Sequence, residues 1–461
     1  PGFALRRFAL LQTAVVSFAM LGSSSVSAQD LSMDANDPQI EALIERMTLE
    51  EKAGQLTTLA DEVRLLNPNT NPEANRRRAD ELLEEIRAGR VGSLFNGRGV
   101  KGARLAQRTA AEESRMKIPL LFGGDVIHGY RTVFPVPLAE AASFEPELAE
   151  RTARVTAIEA TAGGLHWNFA PMVDVARDQR WGRVVEGSGE DVYLGKLFAA
   201  ARVRGYQGEN LANEDSMLAT PKHFAAYGAV AGGMDYNVVE ISPQTLREVH
   251  LAPFKAAFDA GALSTMSSFN EINGVPATAN YELLTTILRG QWQFKGFVVS
   301  DYTADMELIA HGFAADEREA AKLAFLAGVD MSMQSGYYVK HLPDLVKSGE
   351  IPMTTLDQSV RRVLKLKKAL GLFDNPYRSL DEQREAADLG RPEHRALARE
   401  AARRSIVLLR NQNDVLPLKK TSKIALIGPF AEDRHHLHGP WTLFANEQEA
   451  VTLADGIAAA L

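Results

Sequence analysis

Short apolar runs alternate with longer amphipathic stretches along the first 375 residues. The runs cover 91–95, 118–122, 165–169, 217–220, 262–267, 297–300 and 329–333. Between them, apolar positions recur at helical spacing over 40–47, 146–162, 242–260 and 316–327. Thr48 stands three residues before Glu51, which predicts a capping box opening another helix. Short strands spaced roughly 25 to 50 residues apart, with a helix in each interval, predict parallel βα units. Seven or eight such units in about 330 residues suit a closed (β/α)8-type TIM barrel over 40–375 better than a doubly wound sheet. No G-x-x-x-x-G-K-[ST] string occurs anywhere in the sequence, so phosphate-loop nucleotide chemistry loses its main support.

The pattern changes after Asn375-Pro376. A charged, turn-rich stretch reads as a linker over 376–395. A basic amphipathic helix is expected near 394–404, then strands at 405–409 and 424–427, and an alanine-rich helix at the end. That order opens a second α/β domain over 396–461. Only about 65 residues belong to it, few for an independent layer, so it is expected to be incomplete in this chain.

At the other end, Arg6 and Arg7 precede an apolar stretch over 8–21, and small residues lead to Val26-Ser27-Ala28. A basic head, a short apolar middle and a small-residue cleavage site predict a secretory signal over 1–28, hence export. The alternatives are an uncleaved anchor and a buried helix.

Composition narrows the function classes. Fifty-one basic against 59 acidic residues give a net charge of −8, unlike a dedicated nucleic-acid binder. The chain has no cysteine, which excludes disulfides, thiolate metal sites and a cysteine nucleophile. No motif implies a metal, nucleotide or other cofactor.

In such a barrel the active site gathers at the carboxyl ends of the strands. Polar groups recur there: Gly123-Gly124-Asp125, then Asp174 and Arg180-Trp181-Gly182-Arg183, then Lys222-His223-Phe224, Met266-Ser267-Ser268-Phe269-Asn270 and Phe297-Val298-Val299-Ser300-Asp301. One Asp after a strand is ordinarily a helix cap. A succession of such sites points to a pocket.

These strings, in this order and spacing, resemble glycoside hydrolase family 3, in particular its bacterial periplasmic β-glucosidases. Ser405-Ile406-Val407-Leu408-Leu409-Arg410-Asn411, followed by Leu416-Pro417-Leu418, resembles the start of that family's second domain, an α/β sandwich. The resemblance runs from about Ile40 to the last residue. It implies a retaining exo-β-glycosidase of the periplasm that acts on an oligosaccharide or β-glucoside, needs no cofactor, and touches no membrane once the signal is removed. Asp301 matches the family's nucleophile, whose carboxylate forms a glycosyl ester that water later hydrolyses. Asp125, Arg183, Lys222 and His223 match positions that hold the innermost sugar's hydroxyls. Met266, Phe269 and Tyr302 are expected to line the same subsite, with His128 and Trp181 close by.

Two positions depart from the family pattern: Tyr302 where many members carry Trp, and Phe269 where many carry Tyr. Each residue also has a plainer role. Asp301 can cap a helix near Ala304, the charged groups can form an ion-pair network, Lys222 can be a buried lysine paired with an Asp, and His223 can be an ordinary core histidine.

Retention needs a second carboxyl group about 5 Å from the first. In much of the family this Glu comes from the second domain. Glu307 is the local candidate, with Glu186 and Glu190 behind it. Four other functions compete. A β-xylosidase of the same family remains an alternative. A β-N-acetylglucosaminidase of the same family would carry a His in the loop after Lys222-His223-Phe224, where this chain has none. A lyase would use Lys222 as a Schiff base. A chain lacking its acid would only bind sugar. Nothing in the sequence fixes the oligomeric state.

Overall fold

The computed structural model describes Met33, residues 36–64 and residues 78–460; the predicted signal segment lies outside the described residues. A first helix, Pro38–Arg46, leads to the capping box. Glu51 N–H donates to Thr48 Oγ1 at 3.2 Å and Thr48 N–H to Glu51 Oε2 at 2.9 Å, opening the helix Leu49–Gln55.

The strands are β1 (Thr57–Ala60), β2 (Ser93–Phe95), β3 (Leu121–Gly124), β4 (Trp167–Asn168), β5 (Leu218–Ala219), β6 (Ser264–Met266), β7 (Glu271–Ile272), β8 (Val275–Pro276), β9 (Phe297–Val299) and β10 (Ser332–Met333). Six run parallel in the order β10-β1-β2-β3-β4-β5, and β6 pairs with β9 in parallel. Parallel bridges Phe224–Ser267 and Val299–Met331 join these sets on both sides, so eight parallel segments form a TIM-like α/β barrel. The remaining two strands, β7 and β8, make a small antiparallel hairpin at the rim.

All seven predicted strands lie within or beside observed ones, with bounds shifted by up to three residues. The unpredicted eighth is β1. Its sequence, Thr-Thr-Leu-Ala, is half polar and starts two residues after a helix ends, with no Gly or Pro between them to mark a turn. The helices follow the periodicity closely: Pro146–Ala162 and Glu317–Ala327 coincide with the predicted spans, and Asp316 caps the second of these by accepting from Glu319 N–H at 2.9 Å. The 242–260 span is instead broken at His250 and resumes as Ala252–Asp259, with Pro253 in its first turn.

Inward-facing side chains fill the barrel. Trp167, Phe169, Phe95 and Phe297 are fully buried and meet edge to face, with Trp167 and Phe169 rings 4.7 Å apart. Gly123 makes this packing possible: a Cβ there would sit 2.8 Å from the Phe169 ring.

The stretch read as a linker contains the helix Glu382–Asp388 and continues into Pro392–Ser405. His394 holds that second helix to the barrel through Glu159, at 2.8 Å, and Glu159 also accepts from the N–H groups of Arg131, Thr132 and Gly390. The two strands expected at 405–409 and 424–427 are absent. Ser405 ends the helix, and Ile406 and Leu409 are 76% and 91% exposed with no ladder beside them. β-Structure needs a neighbour's hydrogen bonds, and no described segment runs alongside these two. The segment does form the helix Leu453–Ala460, and it lays Pro440–Phe444 over the barrel mouth. No helix among the described residues is long and apolar enough to cross a membrane.

Candidate active site

Each of the five charged or imidazole side chains predicted to converge follows a strand or bridge of the barrel, and contacts link them into one cluster. Asp125 follows β3. It is fixed by Asn96 at the end of β2, whose Nδ2 donates to Asp125 Oδ2 at 3.0 Å while Asp125 N–H donates to Asn96 Oδ1 at 2.9 Å. The other oxygen, Oδ1, accepts from Lys222 Nζ at 2.9 Å. Lys222 lies in the bridge to Met172 that prolongs β5, buried to the tip. Arg183 sits in the short turn Gly182–Glu186 and makes a two-pronged pair with Glu186, at 2.6 and 3.0 Å. Burial opposes its charge, but Glu186 and Asp301 outweigh that and hold it above the ordinary arginine range. Glu186, weighed as an acid from sequence, is committed to this pair, while Glu190 is exposed.

His223 is fully buried between two carboxylates. Its Nδ1 lies 2.9 Å from Asp174 Oδ2, and its Nε2 lies 3.5 Å from Asp301 Oδ2. Asp301 follows β9, which the bridge from Val299 to Met331 holds beside β10: Ser300 N–H donates to Met331 O at 2.8 Å, and Met333 N–H to Ser300 Oγ at 2.9 Å. Below it, Asp305 accepts from the hydroxyls of Ser332 and Ser335, both at 2.7 Å, tying the turn to β10. Asp301 is therefore not a helix cap. The next helix, Glu307–Ala310, starts later, and Asp301 Oδ1 takes its own neighbour's N–H, that of Tyr302, at 2.7 Å. Oδ2 has no hydrogen-bond partner among the described residues.

Burial pushes the Asp301 carboxyl up to about 6, with Lys222 and Arg183 pulling it down. Burial, then repulsion from Asp301 and Asp305, pushes Glu307 up to about 8. Two carboxyl groups are thus set apart, one ionised and one protonated near neutral pH. His223 is driven well below the usual imidazole range, by burial first and by Arg183 and Lys222 next.

Aromatic rings form the walls. Tyr302 meets Phe95 edge to face at 6.2 Å, and Phe269 packs 4.7 Å from Tyr236, a ring 49% exposed. Tyr227 stands between His223 and Trp181, and Trp181 Nε1–H donates to Asp235 at 2.9 Å to pin the loop carrying Tyr236. Met266 ends β6 and is fully buried; its carbonyl accepts from Phe224 N–H at 2.7 Å.

Several contributors had no role in the sequence reading, among them Asn96, Tyr227, Tyr236 and Trp441. Asn96 directly follows the apolar run of β2, the same local signal that marks Asp125. Trp441 comes from far along the chain, and only the fold puts its ring 5.4 Å from Lys222 Nζ and 5.9 Å from the Arg183 guanidinium carbon. His128 holds that segment, with Nε2 2.6 Å from Pro440 O and Nδ1 2.8 Å from Phe134 O. Among the described residues no group of three or more His, Asp or Glu is placed to hold a metal ion.

Residues 48–366 match the glycosyl hydrolase family 3 N terminal domain, and 406–461 match the family's C-terminal domain. The periplasmic beta-glucosidase of Salmonella typhimurium is 42% identical over 448 residues, 96% of this chain and 57% of that protein. A putative beta-xylosidase of Formosa agariphila is 37% identical, over 86% of this chain and 54% of its own. Among solved structures, the beta-glucosidase of Listeria innocua in complex with glucose superposes with a TM-score of 0.85 at 38% identity, covering 92% of this chain and 59% of that one. The chain thus spans somewhat over half the length of these relatives. With the family model matched over most of its length and the relatives aligned across nearly all of it, the chain belongs to glycosyl hydrolase family 3.

Proposed function

We propose that this chain carries the catalytic barrel of a retaining exo-β-glucosidase, which removes terminal non-reducing β-D-glucosyl residues by way of a covalent ester on Asp301. The observation that carries the reading is the state of Asp301 Oδ2: a strand-end carboxylate oxygen with no hydrogen-bond partner, beside Lys222, Arg183 and His223. Relatives named beta-glucosidase support the choice of sugar.

Asp301 Oδ2 attacks the anomeric carbon and forms a C–O ester bond as the bond to the leaving oxygen breaks. The leaving oxygen takes a proton from an acid and departs with its group, and the sugar stays on Asp301 with its anomeric configuration inverted. Water then attacks the same carbon, the ester bond breaks, and the acid recovers its proton from that water. Two inversions give retention. Lys222, Asp125, Arg183 and His223 meet the sugar's hydroxyls, and contacts that tighten as the ring flattens toward an oxocarbenium ion lower the barrier as well as KM. Within the described residues Glu307 is our choice for the acid, because it holds its proton near neutral pH beside Asp301. We assign the barrel to residues 40–375, the linker to 376–395 and the start of the second domain to 396–461. We also assign export to the periplasm: the 1–28 segment and the Salmonella relative's name support it, and mass spectrometry of the mature protein should find it beginning at Gln29.

The test of mechanism is proton NMR of the first sugar released from an aryl β-glucoside. The β-anomer is expected, and an α-anomer overturns the double displacement. The xylosidase relatives favour one competing substrate, so the aryl β-xyloside is assayed alongside. A kcat/KM higher for the xyloside than for the glucoside would replace glucose with xylose in this reading.

A further inference from the structure

Asp174 lies deep behind the site and has no part in the reaction just described. Its side chain is wholly buried, yet three nitrogens meet it: the N–H of His223 on Oδ2 at 2.9 Å, the N–H of Tyr227 on Oδ1 at 3.1 Å, and His223 Nδ1 beside Oδ2 at 2.9 Å. The two backbone groups can only donate. An ionised Asp174 therefore requires the imidazole proton on Nδ1, leaving Nε2 a bare acceptor. That bare nitrogen faces Asp301 Oδ2 at 3.5 Å, and neither atom has a hydrogen-bond partner among the described residues.

We infer that Asp174 is a positioning residue for the nucleophile: it fixes His223 as the Nδ1–H tautomer, so that no imidazole N–H blunts the attacking oxygen of Asp301. The inference rests on Asp301 being the nucleophile. In the opposite tautomer, Nε2–H would donate to Oδ2, stabilise the carboxylate and draw off the electron pair that must reach the sugar. In the Nδ1–H form, Nε2 can instead accept a hydrogen bond from a sugar hydroxyl, while Oδ2 stays free. The groups facing this line are Arg183 and Lys222, both cationic and both opposed to an imidazolium; Asp125 and Glu186, which pair with them; and the rings of Tyr227 and Phe269. Glu307 feels the charge of Asp301. Burial raises Asp174 itself to about 7, against the His223 N–H and Arg183 that favour its charge, so the tautomer is expected to hold best above neutrality.

Asp174→Asn is the test, because it keeps the shape and, with its one oxygen turned to Tyr227, an acceptor for that N–H. In that orientation its amide N–H meets His223 Nδ1, which moves the imidazole proton to Nε2 and onto Asp301. Turnover of an aryl β-glucoside should fall by roughly 10²-fold or more, KM should change by less than about threefold, and the acid limb of kcat/KM should move to lower pH. A purely structural role would leave that limb in place. Nitrogen-15 NMR of histidine-labelled protein gives a readout independent of activity, with His223→Gln assigning the signals. At pH 8 the wild type should show His223 protonated on Nδ1, and Asp174→Asn should show it on Nε2. An Nε2–H signal in the wild type, or an unmoved acid limb in Asp174→Asn, overturns the inference. If the variant does not fold, the wild-type tautomer decides alone. Asp301→Asn, run in parallel, separates the two claims: retained turnover there refutes the nucleophile assignment and leaves the tautomer result standing.

Discussion

Replacing Asp301 by Asn should destroy turnover and strengthen the fold at the same time. The residue is 8% exposed, and burial raises its pKa from the usual 3.8 to about 6. A carboxyl group raised in the folded state binds its proton more tightly there than in the unfolded chain. Its ionisation therefore costs nothing below pH 4, begins to cost as pH passes the unfolded value, and reaches its full cost once pH exceeds about 6. The gap corresponds to about 3 kcal/mol at pH 7.5. Asn avoids the cost, keeps an acceptor for Tyr302 N–H, and offers an amide N–H to the unpartnered Nε2 of His223. In a chain of this size that gain should raise Tm by roughly 3 °C. Thermal melts of both proteins in buffers from pH 4 to 8 check it, with aryl glucoside turnover measured in parallel and expected to drop by roughly 10³-fold or more. Coincident melting curves at pH 7.5, or a difference that grows toward acid pH, would refute the electrostatic reasoning.

Other outcomes follow from the same geometry. The kcat/KM profile should rise through about pH 6 as Asp301 ionises and fall through about pH 8 as Glu307 loses its proton. Glu307→Gln should abolish the alkaline limb, spare aryl glucosides with good leaving groups and cripple disaccharides; equal losses on both would move the acid elsewhere. Lys222→Ala leaves Asp125 without its cation, so kcat/KM should fall by roughly 10²-fold through lost hydroxyl contacts, with trapping of the intermediate still observable. Trp441→Ala removes the ring lying over Lys222 and Arg183, and KM should rise roughly 3- to 10-fold with kcat little changed.

What could be read from the chain, and what could not, divides along the range of the interactions. Strand ends are local: an apolar run followed by Asp125, Lys222 or Asp301 announces both the strand and its chemistry. Periodicity placed the helices for the same reason. β1 escaped because half of it is polar threonine that the fold nevertheless buries, with Thr57 Oγ1 donating to Ala53 O at 3.0 Å, which no letter code reveals. The strands expected at 405–409 and 424–427 failed for the opposite reason: apolar sequence alone cannot make a strand without a neighbour. Glu186 was legible as a carboxylate but not as the partner of Arg183, three residues away, until the turn Gly182–Glu186 was seen. Trp441 enters the site only through long-range packing, and Asp174, although legible after a strand, finds its partner only in the fold. Their roles lie in distances to Lys222 and His223, which the sequence does not contain.

The central claim is a covalent bond between a sugar and Asp301. Incubation with a slow 2-deoxy-2-fluoro-β-glucoside, followed by proteolysis and mass spectrometry, tests it directly. The account predicts one fluoroglucosyl adduct, on the peptide containing Asp301 and on that carboxylate, with loss of activity in step with labelling. An adduct on any other residue, or full turnover of the fluorosugar with no adduct formed, would contradict it.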